Sequence, residues 1–237
     1  MQPVSFEAVA ALLPGRPLFL KLAGSHSHNL DVEGSDYDYL AVYQAPLREM
    51  LSVRGPRETT DHKKPDLEAH EAAKFCRLLL KGNPGMVEML FTERHCVTSP
   101  AWLALQENRQ RFLSRQVVFQ YTGYARGQLQ RLRNGTRLHT KGGEYNTKWA
   151  YHALRVAADA LRIASGQAPV VWKEGDERDL LLAVRRGEWS QEQVEEEIAR
   201  RLQAVDEAAP WPLPERGEEA WLDGWLFELR RAELLAR

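Results

Sequence analysis

The sequence predicts an α+β protein whose first part mixes strands with helices and whose second part is helical, and three observations carry that prediction. Two apolar runs short enough to be buried strands, residues 17–23 (PLFLKLA) and 37–43 (YDYLAVY), fall near the N-terminus. After Ser99-Pro100, strand signals nearly vanish and helix caps and amphipathic stripes replace them. The 237 residues are 43% hydrophobic, enough for an ordinary core in one large domain or two small ones. The change of pattern places the expected boundary near residue 98, with a mixed domain over 1–98 and a helical one over 99–237.

Residues 5–13 read as a short helix that Pro14-Gly15 ends, and strand 17–23 follows. A polar stretch over 24–36 separates it from strand 37–43, and a loop of that length inside an αβ unit is more often functional than idle. Residues 68–80 read as a helix, and Gly82-Asn83-Pro84 as a stop and restart with Asn83 as N-cap and Pro84 at the first helical position. Ser99-Pro100 repeats that signal and opens one or two helices over 99–133, and a further helix covers 147–165 and ends at Gly166. Ser190 starts another, with a capping box to Gln193 and a stripe of Val194, Ile198, Leu202 and Val205. A break at 210–214 precedes a final helix over 218–235, and Trp102, Trp149, Trp172, Trp211, Trp221 and Trp225 read as core or interface.

With 32 Lys and Arg against 33 Asp and Glu the formal charge is −1 and the pI about 6.7, so wholesale polyanion binding is not expected. The balance hides a segregation. Residues 109–155 hold ten Lys and Arg against one acid, whereas residues 174–237 hold seventeen acids against nine Arg. The middle of the chain could therefore hold a phosphate-rich ligand, and the tail could not. No apolar run approaches the roughly 18–20 residues that span a bilayer, and the N-terminus lacks the basic-then-apolar order of a secretion signal. A cytoplasmic protein with no membrane partner is expected. Cys76 and Cys96 lack CxxC spacing, which predicts reduced packing residues rather than a disulfide framework or zinc knuckle.

The chemistry concentrates in residues 22–43, LAGSHSHNLDVEGSDYDYLAVY. Asp36 and Asp38, two apart at the mouth of a strand, present two carboxylates to one small volume, while Tyr37 and Tyr39 take the other face. Such a pair repels unless a cation joins it, and hard oxygen ligands with room left for water and phosphate suit Mg²⁺. Gly24-Ser25 supplies a close backbone approach and a hydroxyl for a phosphate oxygen. His26-x-His28 also admits a zinc reading, but the barrel fold that uses such a pair needs strands beyond residue 98.

Gly-Ser followed by Asp-x-Asp at this spacing resembles the DNA polymerase β nucleotidyltransferase superfamily. Residues 71–75 (EAAKF) and 78–91 (LLLKGNPGMVEMLF), with Lys148 and His152-Ala-Leu-Arg155, are similar to a bacterial and phage group of predicted nucleotidyltransferases that includes RNA-repair-associated members. The resemblance implies a palm-like catalytic domain over 1–98 and a helical domain over 99–237 that closes the cleft and contacts the acceptor. It implies transfer of a nucleoside monophosphate from an NTP, ATP among them, to an acceptor hydroxyl, with two Mg²⁺ or Mn²⁺ ions on Asp36, Asp38 and a third carboxylate. Asp66 is the choice for that third ligand, with Glu68 and Asp61 as rivals and a plain helix N-cap as its other reading.

Gly24, Ser25, His26 and Ser35 are the expected nucleotide-binding residues of the loop, although His26 stands where the group usually has Arg. On the helix from residue 147, Lys148, His152, Arg155 and Arg162 share one face, and Lys148 and Arg155 are candidate phosphate contacts. Tyr121, Tyr124, Arg126, Arg131 and Arg133 interleave aromatics with charge as a single-strand RNA platform does. An RNA end is the expected acceptor; a protein or small-molecule acceptor, and a nucleotide-binding module without turnover, are the alternatives.

Overall fold

A computed structural model describes residues 3–134 and 145–235. Arg137, Lys141 and Glu144, counted above in the basic stretch, lie outside the described residues. The fold is α+β, with one five-stranded mixed sheet and, among the described residues, ten α-helices. Ser5 caps α1 (Phe6–Ala10) through Ala8 N, and β1 (Arg16–Leu22) leads into a 3₁₀ turn, Gly24–His28. Then come β2 (Asp38–Gln44), α2 (Leu47–Met50), β3 (Thr59–Lys63), β4 (Asp66–Glu71), α3 (Ala72–Leu80), α4 (Pro84–Leu90) and β5 (Cys96–Thr98). The remainder is helical: α5 (Pro100–Glu107), α6 (Arg115–Arg133), α7 (Thr147–Ala164), α8 (Gly175–Arg186), α9 (Gln191–Glu207) and α10 (Glu219–Leu235).

Sheet order is β3-β4-β2-β1-β5, antiparallel throughout except for the central pair β2 and β4, which run parallel. Parallel neighbours begin at the same end of a sheet, and this is what brings the first residues of β2 and β4 together. One face of the sheet is covered by Val9 of α1, packed with Leu20, Tyr39, Ala41, Tyr43, Leu67 and Ala69. The other face carries the main core, in which Phe19 stacks on Trp102 at 4.4 Å. That core runs without a break from Leu18 and Phe19 on β1 to Leu222, Trp225 and Leu229 on α10. β5 ends at Thr98 and the described elements after it are helical, and one core runs through both parts.

Two expectations need correction. Residues 68–71 are strand, not the start of a helix. Leu67, Ala69 and Glu71 are buried at alternate positions, and pairing to β2 on one side and β3 on the other outweighs a helix-favouring composition. The N-cap of α3 is Glu71, whose carboxylate accepts from Ala73 N at 2.7 Å, so Asp66 is not a cap. Secondly, α7 does not divide into an apolar face and a free basic face. It lies between α6, α8 and α9, and its buried residues include Ala150, Leu154, Arg155, Val156, Asp159, Ala160 and Ile163, which surround the axis. The 3.6-residue stripe on α9 is as expected, with Val194, Ile198, Leu202 and Val205 all buried and the Ser190–Gln193 capping box formed. Asn83 and Ser99 cap α4 and α5 as expected, through Met86 N and Trp102 N. Cys76 and Cys96 are free, and burial pushes the Cys76 thiol up to about 12.

Inside the core Glu88 of α4 accepts from Arg155 of α7 at 2.5 Å, both side chains buried. Its second oxygen stands 3.6 Å from His28 Nε2. Removing one partner of such a pair strands the other charge, so Glu88→Ala is expected to cost about 3–5 kcal/mol, read from the urea unfolding midpoint, and Glu88→Gln less. Burial first, then Arg155, Lys148 and Arg185, depresses His152 to about 3. Burial likewise lowers His28 well below 6.5. The unfolded chain takes up protons here that the folded one refuses, so this stability is full above about 6.5 and falls as pH drops toward 3, by about 1.4 kcal/mol per pH unit per group. Urea midpoints should decline from pH 7 to pH 5, and His152→Gln should flatten the decline.

Candidate active site

Asp38 opens β2 and Asp66 opens β4, and the two are register partners across the parallel pair. Asp38 shares the parity of Leu40 and Val42, which places it on the sheet face covered by the helical part. Asp36 precedes the strand by two residues and is exposed, as is Asp66, while Asp38 is half-buried. The carboxyl of Asp38 is pushed up from its ordinary value, first by burial and then by the charges of Asp66 and Asp36, with Lys148 and His26 opposing. The same five side chains that the sequence singles out therefore act on one another electrostatically. The rival carboxylates have other neighbours. Glu68 stands 3.3 Å from His70 Nε2, and Asp61 lies on edge strand β3 opposite Glu68.

Gly24 follows β1 with φ +58, in the left-handed region, and a Cβ on it would stand 2.9 Å from Asp38 Oδ2. The turn backbone and the carboxylate thus approach as only glycine allows. Ala23 N donates to Asp38 O at 2.7 Å, Leu30 N donates to Ser25 O at 3.0 Å, and Ser27 Oγ donates to Gly24 O at 3.0 Å. These bonds fix the turn against the mouth of β2. His26 stacks on Tyr37 at 4.2 Å, with Nδ1 3.6 Å from Asp31 Oδ2, and its Nε2 is buried without a hydrogen-bond partner in the protein.

The structure separates other expected site residues from this centre. Ser35 Oγ accepts from Val32 N at 2.9 Å and from Arg185 Nη2 at 3.1 Å, so its oxygen closes a turn and ties it to α8. Arg155 is not on the surface, because α7 is central and the guanidinium is held by Glu88; against the burial that lowers its pKa, Glu88 and then Asp159 raise it. Arg162 is taken up by Asp159 at 2.7 Å and by Glu177. The aromatic and basic residues of α6 are divided between surface and core, with Tyr124 and Arg131 exposed and the others held as follows. Tyr121 is fully buried and donates to Pro84 O at 3.3 Å, and Arg126 and Arg133 pair with Asp206 and Glu195 at 2.8 and 2.9 Å. The opposite charges that lie far apart in sequence thus meet in space.

His28 faces inward from the turn and bonds to Val171 O at 3.0 Å while His26 stacks on Tyr37, so the two do not converge as a zinc pair. Among the described residues, no three His, Cys, Asp or Glu side chains close into a metal cage of their own. A Mg²⁺ site completed by water and substrate phosphate needs only one or two protein carboxylates. Asp36, Asp38 and Asp66 supply hard oxygen donors of the kind such a site takes, with Asp38 and Asp66 paired in register and both Asp66 and Asp36 acting on the Asp38 carboxyl.

Sequence reasoning missed the residues that hold the loop in place. Arg178 Nε donates to Asn29 O at 2.8 Å, Arg185 donates to Leu30 O, and Lys173 N donates to His28 O at 3.1 Å. Lys173 is fully buried against Asp159 and Glu177, each at 3.1 Å. The only signal of this in the sequence is a lone Lys ending the apolar run Pro169-Val170-Val171-Trp172.

The profile of the RlaP family, described as the RNA repair pathway DNA polymerase beta family, matches residues 4–228 of the chain. No curated protein matches it. Among the described residues no helix is long and apolar enough to cross a membrane.

Gly24→Ala and Gly34→Ala separate backbone strain from contact with the carboxylate. Both residues have positive φ, +58 and +82, but a Cβ at Gly34 meets nothing within 4 Å. Each should cost about 1–2 kcal/mol in urea unfolding for the left-handed backbone, with Gly24→Ala the more costly of the two.

Proposed function

The chain belongs to the RNA repair pathway DNA polymerase beta family, and from that premise we propose that it moves a nucleoside monophosphate from an NTP to the hydroxyl of an RNA end, releasing pyrophosphate. One observation carries the reading: the carboxyl of Asp38, at the mouth of β2 and in register with Asp66, abuts the backbone of Gly24 and is raised first by burial and then by Asp66 and Asp36. That is an acidic centre touching a turn shaped for phosphate.

In this reading the acceptor hydroxyl oxygen bonds to the α-phosphorus of the NTP, the bond from that phosphorus to the bridging oxygen breaks, and pyrophosphate leaves. Divalent ions, when bound, neutralise the triphosphate and polarise both oxygens. Asp36, Asp38 and Asp66 would hold those ions. Asp66, exposed at the edge of the centre, accepts the proton of the acceptor hydroxyl on its carboxylate. Gly24 N–H and Ser25 Oγ–H donate to phosphate oxygens. His26 Nε2, buried and without a partner in the protein, lies in the same turn and is a further phosphate contact. Lys148, exposed at the start of α7, adds positive charge on the side of Asp38. Arg155 acts at one remove, by bracing Glu88 behind the turn.

A protein or small-molecule acceptor is favoured by one observation, the neutralisation of Arg126 and Arg133 by α9, which removes cations that an RNA would use. Salt distinguishes the two, because RNA association weakens steeply as salt rises and association with a small acceptor much less. The test is incubation with each α-labelled NTP, Mg²⁺ and RNA bearing a free 3′-hydroxyl. Labelled RNA and an equal amount of pyrophosphate are expected. Pyrophosphate without labelled RNA would move the acceptor to another class, and no pyrophosphate would leave a nucleotide-binding module. Asp38→Ala should lower transfer about a thousandfold or more, through loss of several kcal/mol of ion-borne stabilisation, while the thermal midpoint holds or rises as repulsion is relieved.

A further inference from the structure

On the far side of the Gly24–Ser25 turn from Asp66, the structure holds a cleft of about 270 Å³ that includes Ser27 of the turn together with Phe91, Arg94, Arg109 and Trp172. The strand order β4-β2-β1-β5 explains the placement, since Leu22 N at the end of β1 donates to His95 O at 2.9 Å just before β5. We propose that this cleft is a nucleobase-stacking site, with the Trp172 indole as its platform. The proposal rests on the nucleotidyl-transfer reading and names a recognition element for it.

The first argument is how firmly Trp172 is held. Its backbone is bonded to the turn on both sides: His28 Nδ1 to Val171 O at 3.0 Å, Lys173 N to His28 O at 3.1 Å, and Asn29 Nδ2 to Lys173 O at 2.9 Å. The next side chain, Lys173, is anchored by the buried carboxylates described above. Yet the indole is left only half-buried, unlike Trp102. A rigidly held backbone carrying an indole that is partly accessible in the cleft is what a stacking platform requires.

The second argument is the chemistry around the ring. Arg94 Cζ lies 5.2 Å from the indole centroid, and the His95 ring lies 5.0 Å away. His95 has φ +53, one of only two non-glycine residues in the left-handed region among the described residues, and such positions gather at ligand clamps. Arg109 Cζ lies 5.1 Å from the Phe91 ring across the cleft. Both guanidinium groups already have acidic neighbours, Arg94 with Glu174 at 3.7 Å and Arg109 with Glu93 at 2.8 Å. The cleft is therefore near neutral and suits an uncharged flat heterocycle better than a phosphate. In size it sits at the small end of ligand clefts. Two sources supply such a ring beside a transferase centre, the base of the NTP and the terminal base of the acceptor RNA.

The test measures binding of ATP with Mg²⁺, and separately of a 12-nucleotide single-stranded RNA, to the full-length protein and to Trp172→Ala, Trp172→Phe and Arg94→Ala. Trp172→Ala should weaken one of the two ligands about 5- to 100-fold, the usual worth of stacking one base, and Trp172→Phe should recover most of it. Loss confined to ATP assigns the NTP base, and loss confined to RNA assigns the acceptor base. Wild-type binding of either ligand that both alanine variants leave unchanged, with thermal midpoints showing they are folded, overturns the cleft and leaves the transferase reading standing. Binding lost in Trp172→Ala while the wild type releases no pyrophosphate sustains the cleft and overturns the transferase reading. A wild type that binds neither ligand overturns both.

Discussion

Like charges at the mouth of β2 and β4 are the constraint from which the rest of the structure follows. Asp38 and Asp66 face each other as register partners across the parallel pair, and the carboxyl of Asp38 is raised first by burial and then by the charges of Asp66 and Asp36. Parallel strands that start together cannot slide apart to relieve the repulsion without breaking the ladder between Asp38–Tyr43 and Asp66–Glu71. In the proposed reading, a cation or a cationic ligand would offset this repulsion. Gly24, with its backbone against the same carboxylate, limits what else can fill the space.

The helical part holds this centre in place. Arg178, Arg185 and the segment 171–173 all bond to the loop after the turn, and Glu88 with Arg155 lies behind His28. Each bond draws on a buried or half-buried group, where a charge-assisted hydrogen bond is stronger than on the surface. The loop after the Gly24–Ser25 turn, though formed of small and polar residues, is thereby tied to the helical part at several points. The uneven charge of the sequence has a related origin: the basic α6 and acidic α9 are neighbours, and their cations and anions pair.

Much of the fold was legible in the sequence because its signals are local. Asn83, Ser99 and Ser190 cap helices where they should, and the stripe of α9 is buried throughout. Residues 68–71 of β4 were misread because Glu68, Ala69 and Glu71 are good helix formers, and only β2 and β3 on either side make them strand. For the site, the short-range pattern Gly24-Ser25 with Asp36 and Asp38 was readable, and the position of Asp66 became physical only with the parallel register. Arg155 shows the opposite case. A helical wheel gives its angular position, but not that three helices surround the wheel, so a residue on a basic stripe became a buried partner of Glu88. The clamp on the loop depends on contacts across about 150 residues, such as Asn29 to Lys173 and Leu30 to Arg185, which no local pattern encodes.

The most direct measurement of the central claim is a crystal structure with Mg²⁺ and a non-hydrolysable NTP. The account predicts an ion at about 2.0–2.1 Å from oxygens of Asp38 and at least one of Asp36 and Asp66, with the triphosphate over Gly24 and Ser25. An ion held instead at Glu68 or Asp61, or a triphosphate bound away from the turn, would contradict it.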